Sequence, residues 1–594
     1  MSPKGPLLVF TALGMMFTAT VWGARASEQP LMSMEGLATF ETAAGAPLED
    51  ERQQPTRQST NLVSRIQKSL ADQGFYLGPI DGRFGPQTEA AIKAYQKSAD
   101  LKIDGQATER LATDLETGGQ VSKLLGRLET ARKSAIENAR DALMANPETR
   151  NYIEGIDASD QGVSHDSKSC MAKPEPRCLL QEASISARDI DKPEMRDWAL
   201  GEILTAQARA GLAKDAMTTT RRIHDPRLIM VALRDIAKAR ADIGEFGDAL
   251  AAVDIIPDPV QQAEAYLYIA EAEATEHAQF DAAVTTKRLS GYLSQIPEIL
   301  TQVSFRTRLA IVLFEAGHEK QALKTLTEAE SQLQNIDTQE EKDKAKRHIA
   351  AAYAETGDAE RALTILKNVK NGSDDVPVLV AAATGQAQAG AAGAALITAD
   401  SIEAVRYRAL VLARIASYQG GAGQFEEAKA TLKKAKEAAA IIRFPFAKAY
   451  AFSRIALAFN DVGISIGGQL VLLDEALESA HLIKDDRLKA HIFWTIADER
   501  RRGGDLDGAT RAQDAATDAT QNIMSPFSRV WMLCDIAEER AKRLETDAAW
   551  SVFNVALEEA KTIKNAWGRA RALGKVAATM TTLADKTTQA AAHP

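Results

Sequence analysis

From Ile203 to Val576 an apolar residue, most often followed by Ala, recurs with a Gly or its substitute eight positions on and, in most copies, an Ala five beyond that. The anchors are Ile203, Ile236, Ile269, Leu309, Ile349, Ala382, Ile415, Ile455, Ile496, Ile536 and Val576, spaced 33 or 40 to 41 residues apart. Self-similarity at this period predicts helical hairpins stacked as a solenoid. The two lengths differ by about two helical turns. Such an extension lengthens a helix without rotating its buried face, so both kinds of repeat can share one core. Strand patterns are nearly absent, and the predicted fold class is all-α.

A second pattern lies ahead of the repeats. Ile66-Gln67 and Leu70 precede Gly74-Phe75-Tyr76, then Gly78-Pro79-Ile80-Asp81-Gly82, Phe84-Gly85-Pro86 and Thr88; Ala91-Ile92, Tyr95-Gln96, Leu101 and Asp104-Gly105 follow. This reads as helix, Gly-rich loop and helix. Asp81-Gly82 is turn chemistry, and Pro86 suits the first position of a helix. Asp104-Gly105 then turns the chain toward a short third helix ending near Ala112. The segment resembles the small three-helix peptidoglycan-binding domain of bacterial envelope proteins. That resemblance implies attachment to cell-wall peptidoglycan without catalysis, through Tyr76, Asp81, Arg83, Phe84 and Gln87. Each also has a structural reading: Asp81 closes the turn and Phe84 packs in the core, whereas Arg83 and Gln87 can face solvent.

The expected organisation is a signal peptide over 1–26, a linker over 27–60, the binding module over 61–117, a connecting helix and disulfide loop over 118–177, and the solenoid over 178–594. Leu7 to Trp22 is apolar and Ala24-Arg25-Ala26 suits signal peptidase, which predicts cleavage after Ala26 and a periplasmic location. The apolar run falls short of the ~20 residues that span a bilayer, and no later segment is apolar enough to cross one. Residues 27–60 are rich in Glu, Gln, Pro and Thr without periodicity, as in a flexible tether. Val121, Leu124, Leu128, Ala131, Ala135 and Ala142 give one apolar helical face, expected to pack against the module or the solenoid.

Charge narrows the function further. A net charge of −10, with no Lys/Arg cluster, argues against a nucleic-acid binder. Cys170 and Cys178 lie 33 residues before Ile203 and Gly211, where a degenerate first repeat begins. Pro174 and Pro176 forbid a helix between them, so a loop closed by a disulfide is expected, serving as a cap for the first repeat; zinc is the weaker reading. The hairpins themselves resemble tetratricopeptide repeats, with the aromatic signature mostly missing, which implies a scaffold for a protein partner. A basic residue recurs seven positions before the anchor, at Arg196, Lys342, Arg408, Lys448, Lys489, Arg529 and Arg569. Arg408, Lys448, Lys489 and Arg529 are either junction ion pairs, the favoured reading, or a stripe for an anionic partner. No zinc-ligand spacing, Gly-x-Ser-x-Gly elbow or cofactor motif appears. The reading is a non-enzymatic adaptor with no cofactor or metal; its alternative is a cell-wall hydrolase with an unrecognised site in the solenoid groove.

Overall fold

The computed structural model describes residues 60–154, 166–275, 279–370, 372–463, 466–542 and 545–592. The signal-like run and almost all of the tether lie outside these residues. The chain forms two compact units, divided between Glu137 and Asn138.

In the first unit, helices Thr60–Asp72 (α1), Pro86–Ser98 (α2) and the start of Glu109–Ala145 (α3) enclose one small core. Ile66, Leu70, Ile92 and Leu115 are fully buried in it. Arg65 ties α1 to α3 through Glu116 at 2.9 Å and Glu109 at 2.8 Å. The third helix does not end near Ala112. It continues through Gly118-Gly119 as one helix of 37 residues, so the expected boundary at 117/118 falls inside a helix. Two glycines cost a helix roughly 2 kcal/mol in propensity, which the flanking turns outweigh. Leu124, Leu128, Ala131 and Ala135 on α3 are exposed, so this face is not packed as the apolar spacing had suggested. Only farther along are Ala139 and Leu143 buried.

The second unit opens with the end of α3, followed by Pro147–Glu154 (α4), Ser167–Ala172 (α5) and Pro176–Arg188 (α6). Ten hairpins follow among the described residues: Pro193–Arg209 with Ala213–Thr220 (α7, α8), Pro226–Ala241 with Phe246–Asp254 (α9, α10), Pro259–Thr275 with Gln279–Leu293 (α11, α12), Ile299–Glu315 with Glu319–Ser331 (α13, α14), Gln339–Glu355 with Ala359–Leu366 (α15, α16), Val376–Gln388 with Ala392–Asp400 (α17, α18), Val405–Gly421 with Phe425–Ala440 (α19, α20), Pro445–Asp461 with Ile466–His481 (α21, α22), Asp486–Arg502 with Leu506–Asn522 (α23, α24) and Pro526–Lys542 with Thr546–Thr562 (α25, α26). Helix Ala566–Ala592 (α27) comes after them. Every anchor is buried. The repeat glycines, such as Gly244 and Gly357, end the first helix of their hairpins at φ 78° and 90°, a conformation that an L side chain resists. The two repeat lengths have a simple cause. The second helix is eight or nine residues long in 33-residue repeats and 13 to 17 in the longer ones.

The array closes on itself. Helix α27 packs on α6 as the two helices of a hairpin do, and on α7 as successive first helices do. An eleventh hairpin is therefore split: its first helix is α27 and its second is α6, whose Ala183 occupies the position of the other repeats' post-Gly Ala. The predicted solenoid therefore closes into a ring, and the outer face of its first repeat is covered by α27 and not by the disulfide loop expected to cap it. First helices pack against one another all the way round, whereas successive second helices make no comparable contact. The closely spaced layer must have the smaller radius, so the first helices line the inside of the ring.

Candidate functional site

The loop of the small module is built around a buried amide. Gln67 on α1 is fully buried, and its Nε2 lies 3.0 to 3.2 Å from Tyr76 Oη, Asp81 Oδ1, the Arg83 carbonyl and Thr88 Oγ1. Gly82 N–H donates to Gln67 Oε1 at 2.8 Å. An amide with two N–H donors shared among four acceptors fixes the whole loop from one point. Gln96 repeats the device, taking Gly105 N–H at 2.9 Å and donating to Asp104 Oδ1 at 2.8 Å. Gly82 and Gly105 both have positive φ, 70° and 67°, and a Cβ on Gly82 would strike the Thr60 carbonyl at 2.6 Å.

The predicted ligand residues separate on this frame. Tyr76 is 6% exposed and donates its hydroxyl to the Pro79 carbonyl at 3.0 Å, so it serves the loop's core. Asp81 closes the turn by accepting Arg83 N–H at 2.9 Å; that bond and the Gln67 amide hold its carboxyl below the usual range. Phe84 is 40% exposed instead of packing in the core. Arg83 and Gln87 are exposed beside it. Leu77 and Ile80 join this surface at 99% and 49% exposure, although sequence reasoning did not single them out. The Gln67 amide was missed too, because a lone Gln on a helix reads as surface. The result is an outward loop with three apolar side chains, one cation and one amide.

The ring offers a second surface. Five positions before the anchor, consecutive inner helices carry Tyr450, His491, Trp531, Arg571 and Trp198, none of the four ring-bearing side chains buried. The other six inner helices have Val231, Glu264, Ser304, Lys344, Pro377 and Leu410 at the same place. At this position the ring-bearing side chains are thus confined to one run of consecutive helices. At its centre the ring's ends are joined. Arg571 is 2% exposed and makes two bonds to Glu202 on α7, at 2.7 and 2.6 Å. Its guanidinium lies 4.5 to 5.3 Å from the ring centres of Trp567, Phe527, Trp531 and Trp198. Lys575 bridges Asp535 at 2.8 Å and Glu538 at 3.0 Å, and these carboxylates raise its pKa against the opposing effect of burial.

The recurring basic position is used in more than one way. Arg196, Arg408 and Arg529 donate to the carbonyls of Ile190, Ile402 and Ile523, each six residues upstream, at 3.0, 3.3 and 2.7 Å. Gln302 does the same to Ile296 at 2.7 Å. The side chain satisfies a carbonyl left open where the preceding helix ends. An ion pair was expected at each of four positions. Arg529 makes one, with Glu559 at 2.9 Å; Lys448 lies 6.0 Å from the Phe452 ring centre, and Lys489 is half-buried with no ion pair among the described residues. Cys170 and Cys178 form a disulfide, their Cα atoms 5.7 Å apart. Among the described residues no cluster of three or more His, Cys, Asp or Glu could hold a metal, and no helix is long and apolar enough to cross a membrane.

Residues 59–113 match the family described as "Putative peptidoglycan binding domain". The match covers the module whose loop is described above. A curated relative, the "Putative OxPP cycle protein OpcA" of Synechocystis sp., is 38% identical over 73 residues, which span 12% of this chain and 15% of that protein. Among solved structures, Ton1535 from Thermococcus onnurineus NA1 is similar at 18% identity and a TM-score of 0.25, over 63% of this chain and 97% of that one. A Rap protein complexed with competence and sporulation factor gives 14% and 0.25, over 55% and 99%. A circular tandem repeat protein gives 12% and 0.15, over 71% and 99%.

Proposed function

We propose that this chain is an exported, non-enzymatic adaptor that holds peptidoglycan through its N-terminal module and a protein partner through its ring. The observation that carries the first half is the outward loop on the matched module, where Leu77, Ile80 and Phe84 are exposed beside Arg83 and Gln87. Apolar side chains this exposed cost solvation unless something covers them, and Arg83 supplies a charge for a carboxylate. The second half rests on the inner aromatic arc, where Trp198 and His491 are exposed and Tyr450 and Trp531 half-buried, since accessible aromatic rings on a rigid wall favour protein contacts. Sedimentation with insoluble sacculi tests the wall-binding half. The full chain should pellet, whereas a chain beginning at Gly118 and the Arg83→Ala/Phe84→Ala variant should stay in solution. Equal pelleting of all three would remove the assignment. Release of muropeptides from the sacculi, abolished by changing a carboxylate inside the ring, would favour a hydrolase instead.

A further inference from the structure

Ten hairpins have their two helices joined by a few residues, so closing each costs little chain entropy. The eleventh has no such link. Its outer helix, α6, reaches α27 only through packing and side chains, and a free helix of 13 residues is marginal in water. What precedes α6 therefore decides how firmly it is held. Cys178 lies in the first turn of α6, and Cys170 lies in α5. On α5, Ser167 donates to the Glu182 carboxylate of α6. The other oxygen of Glu182 faces Arg569 of α27 at 3.8 Å. A line of contacts thus runs from the disulfide through α5 and Glu182 to the helix that closes the ring.

We infer that the Cys170–Cys178 disulfide is a redox latch on ring closure. Cys170 is buried and Cys178 is half-buried, so attack falls on the Cys178 sulfur. The thiolate of a dithiol reductant bonds to that sulfur and Cys170 leaves as a thiolate. The second reductant thiolate then displaces Cys178, forming the reductant's own disulfide, and both cysteine sulfurs take up protons. Two electrons enter the protein in all. With the cross-link gone, only residues 173–175 join α5 to α6, so Ser167 is held less firmly against Glu182 and α6 loses the constraint on its first turn. The seam between α6 and α27 then opens more often, while the hairpins joined by short turns do not.

Hydrogen exchange on the intact protein, before and after treatment with dithiothreitol, tests this. Exchange in α6 and α27 should accelerate by a factor on the order of 10 to 100 after reduction, the scale set by a short-loop disulfide. Exchange in α13 to α20 should not change. The Cys170→Ser/Cys178→Ser variant should match the reduced protein, and reduction of already folded protein gives the answer if that variant fails to fold. Unchanged exchange at the seam, or acceleration spread evenly over all repeats, would overturn the inference.

Discussion

Replacing Glu202 with Gln keeps the size of the side chain and removes its charge from Arg571. The arginine is 98% buried, with Glu202 the one carboxylate bonded to it among the described residues. Breaking a buried pair from one side costs about 3 to 5 kcal/mol. Two features lower the figure here: Gln still offers one acceptor, and four aromatic rings face the cation, at about 1 kcal/mol or more in sum. A net loss of about 3 kcal/mol remains, equal to roughly a hundredfold rise in the opening equilibrium of the seam. Because a repeat array unfolds in parts, a single melting temperature would blur this local effect. Site-resolved hydrogen exchange is the suitable assay. Protection in α27 and α7 should fall by about two orders of magnitude, with α13 to α16 unaffected. In an open array α27 would be a fraying end already, and the substitution would change nothing there. Protection of α27 no greater than that of an end helix in the unaltered protein would refute ring closure itself.

Gln67→Leu should destabilise the module by about 2 to 3 kcal/mol, because Gly82 N–H and the loop acceptors lose a buried partner; Gln87→Ala, at an exposed site, should stay within about 0.5 kcal/mol. Chemical denaturation followed by exchange in α1 and α2 separates the two. Burial and the neighbouring Glu315 push the Glu355 carboxyl up to about 7. A folded pKa above the unfolded value makes the native state bind more protons between about pH 4.5 and 7, so stability falls as pH rises through that window and levels off above it. Glu355→Gln should remove this slope and raise stability at pH 8, measured as protection of α15 after correction for intrinsic exchange.

The repeats were legible because each buries its anchor and turns on its Gly at the same positions, and sequence records what recurs. Even the seven-residue extension could be assigned to helix length, as the 15-residue α12 beside the nine-residue α10 illustrates. Closure was hidden for the opposite reason. The partner of α27 lies at the far end of the chain, and a periodicity has no mark for its first and last members meeting. The half-repeat around Ala183 was visible, yet it read as a degenerate start when it is the other half of the eleventh hairpin. In the module, the turn at Asp81-Gly82 was readable from local chemistry. Phe84 and Tyr76 were not, since an aromatic in a Gly-rich loop carries no periodicity to say whether it points in or out. The basic ladder was seen, and Arg529 makes an ion pair of the kind expected; Arg408 spends its donor on the Ile402 carbonyl instead, a backbone partner that no side-chain pattern reveals.

The split hairpin also sets an order of events during synthesis. Leu179 and Leu180 of α6 are fully buried in the finished ring, and α27 begins at Ala566, about 380 residues after α6 ends at Arg188. At ribosomal rates of ~5–20 residues per second, α6 waits about 20 to 75 s for the helix that covers it. Throughout that time the growing array presents an apolar edge at its beginning, and another at its newest hairpin. Each is complementary to the other's counterpart on a second nascent chain. Two chains that met in this interval could close on each other, giving a domain-swapped double ring.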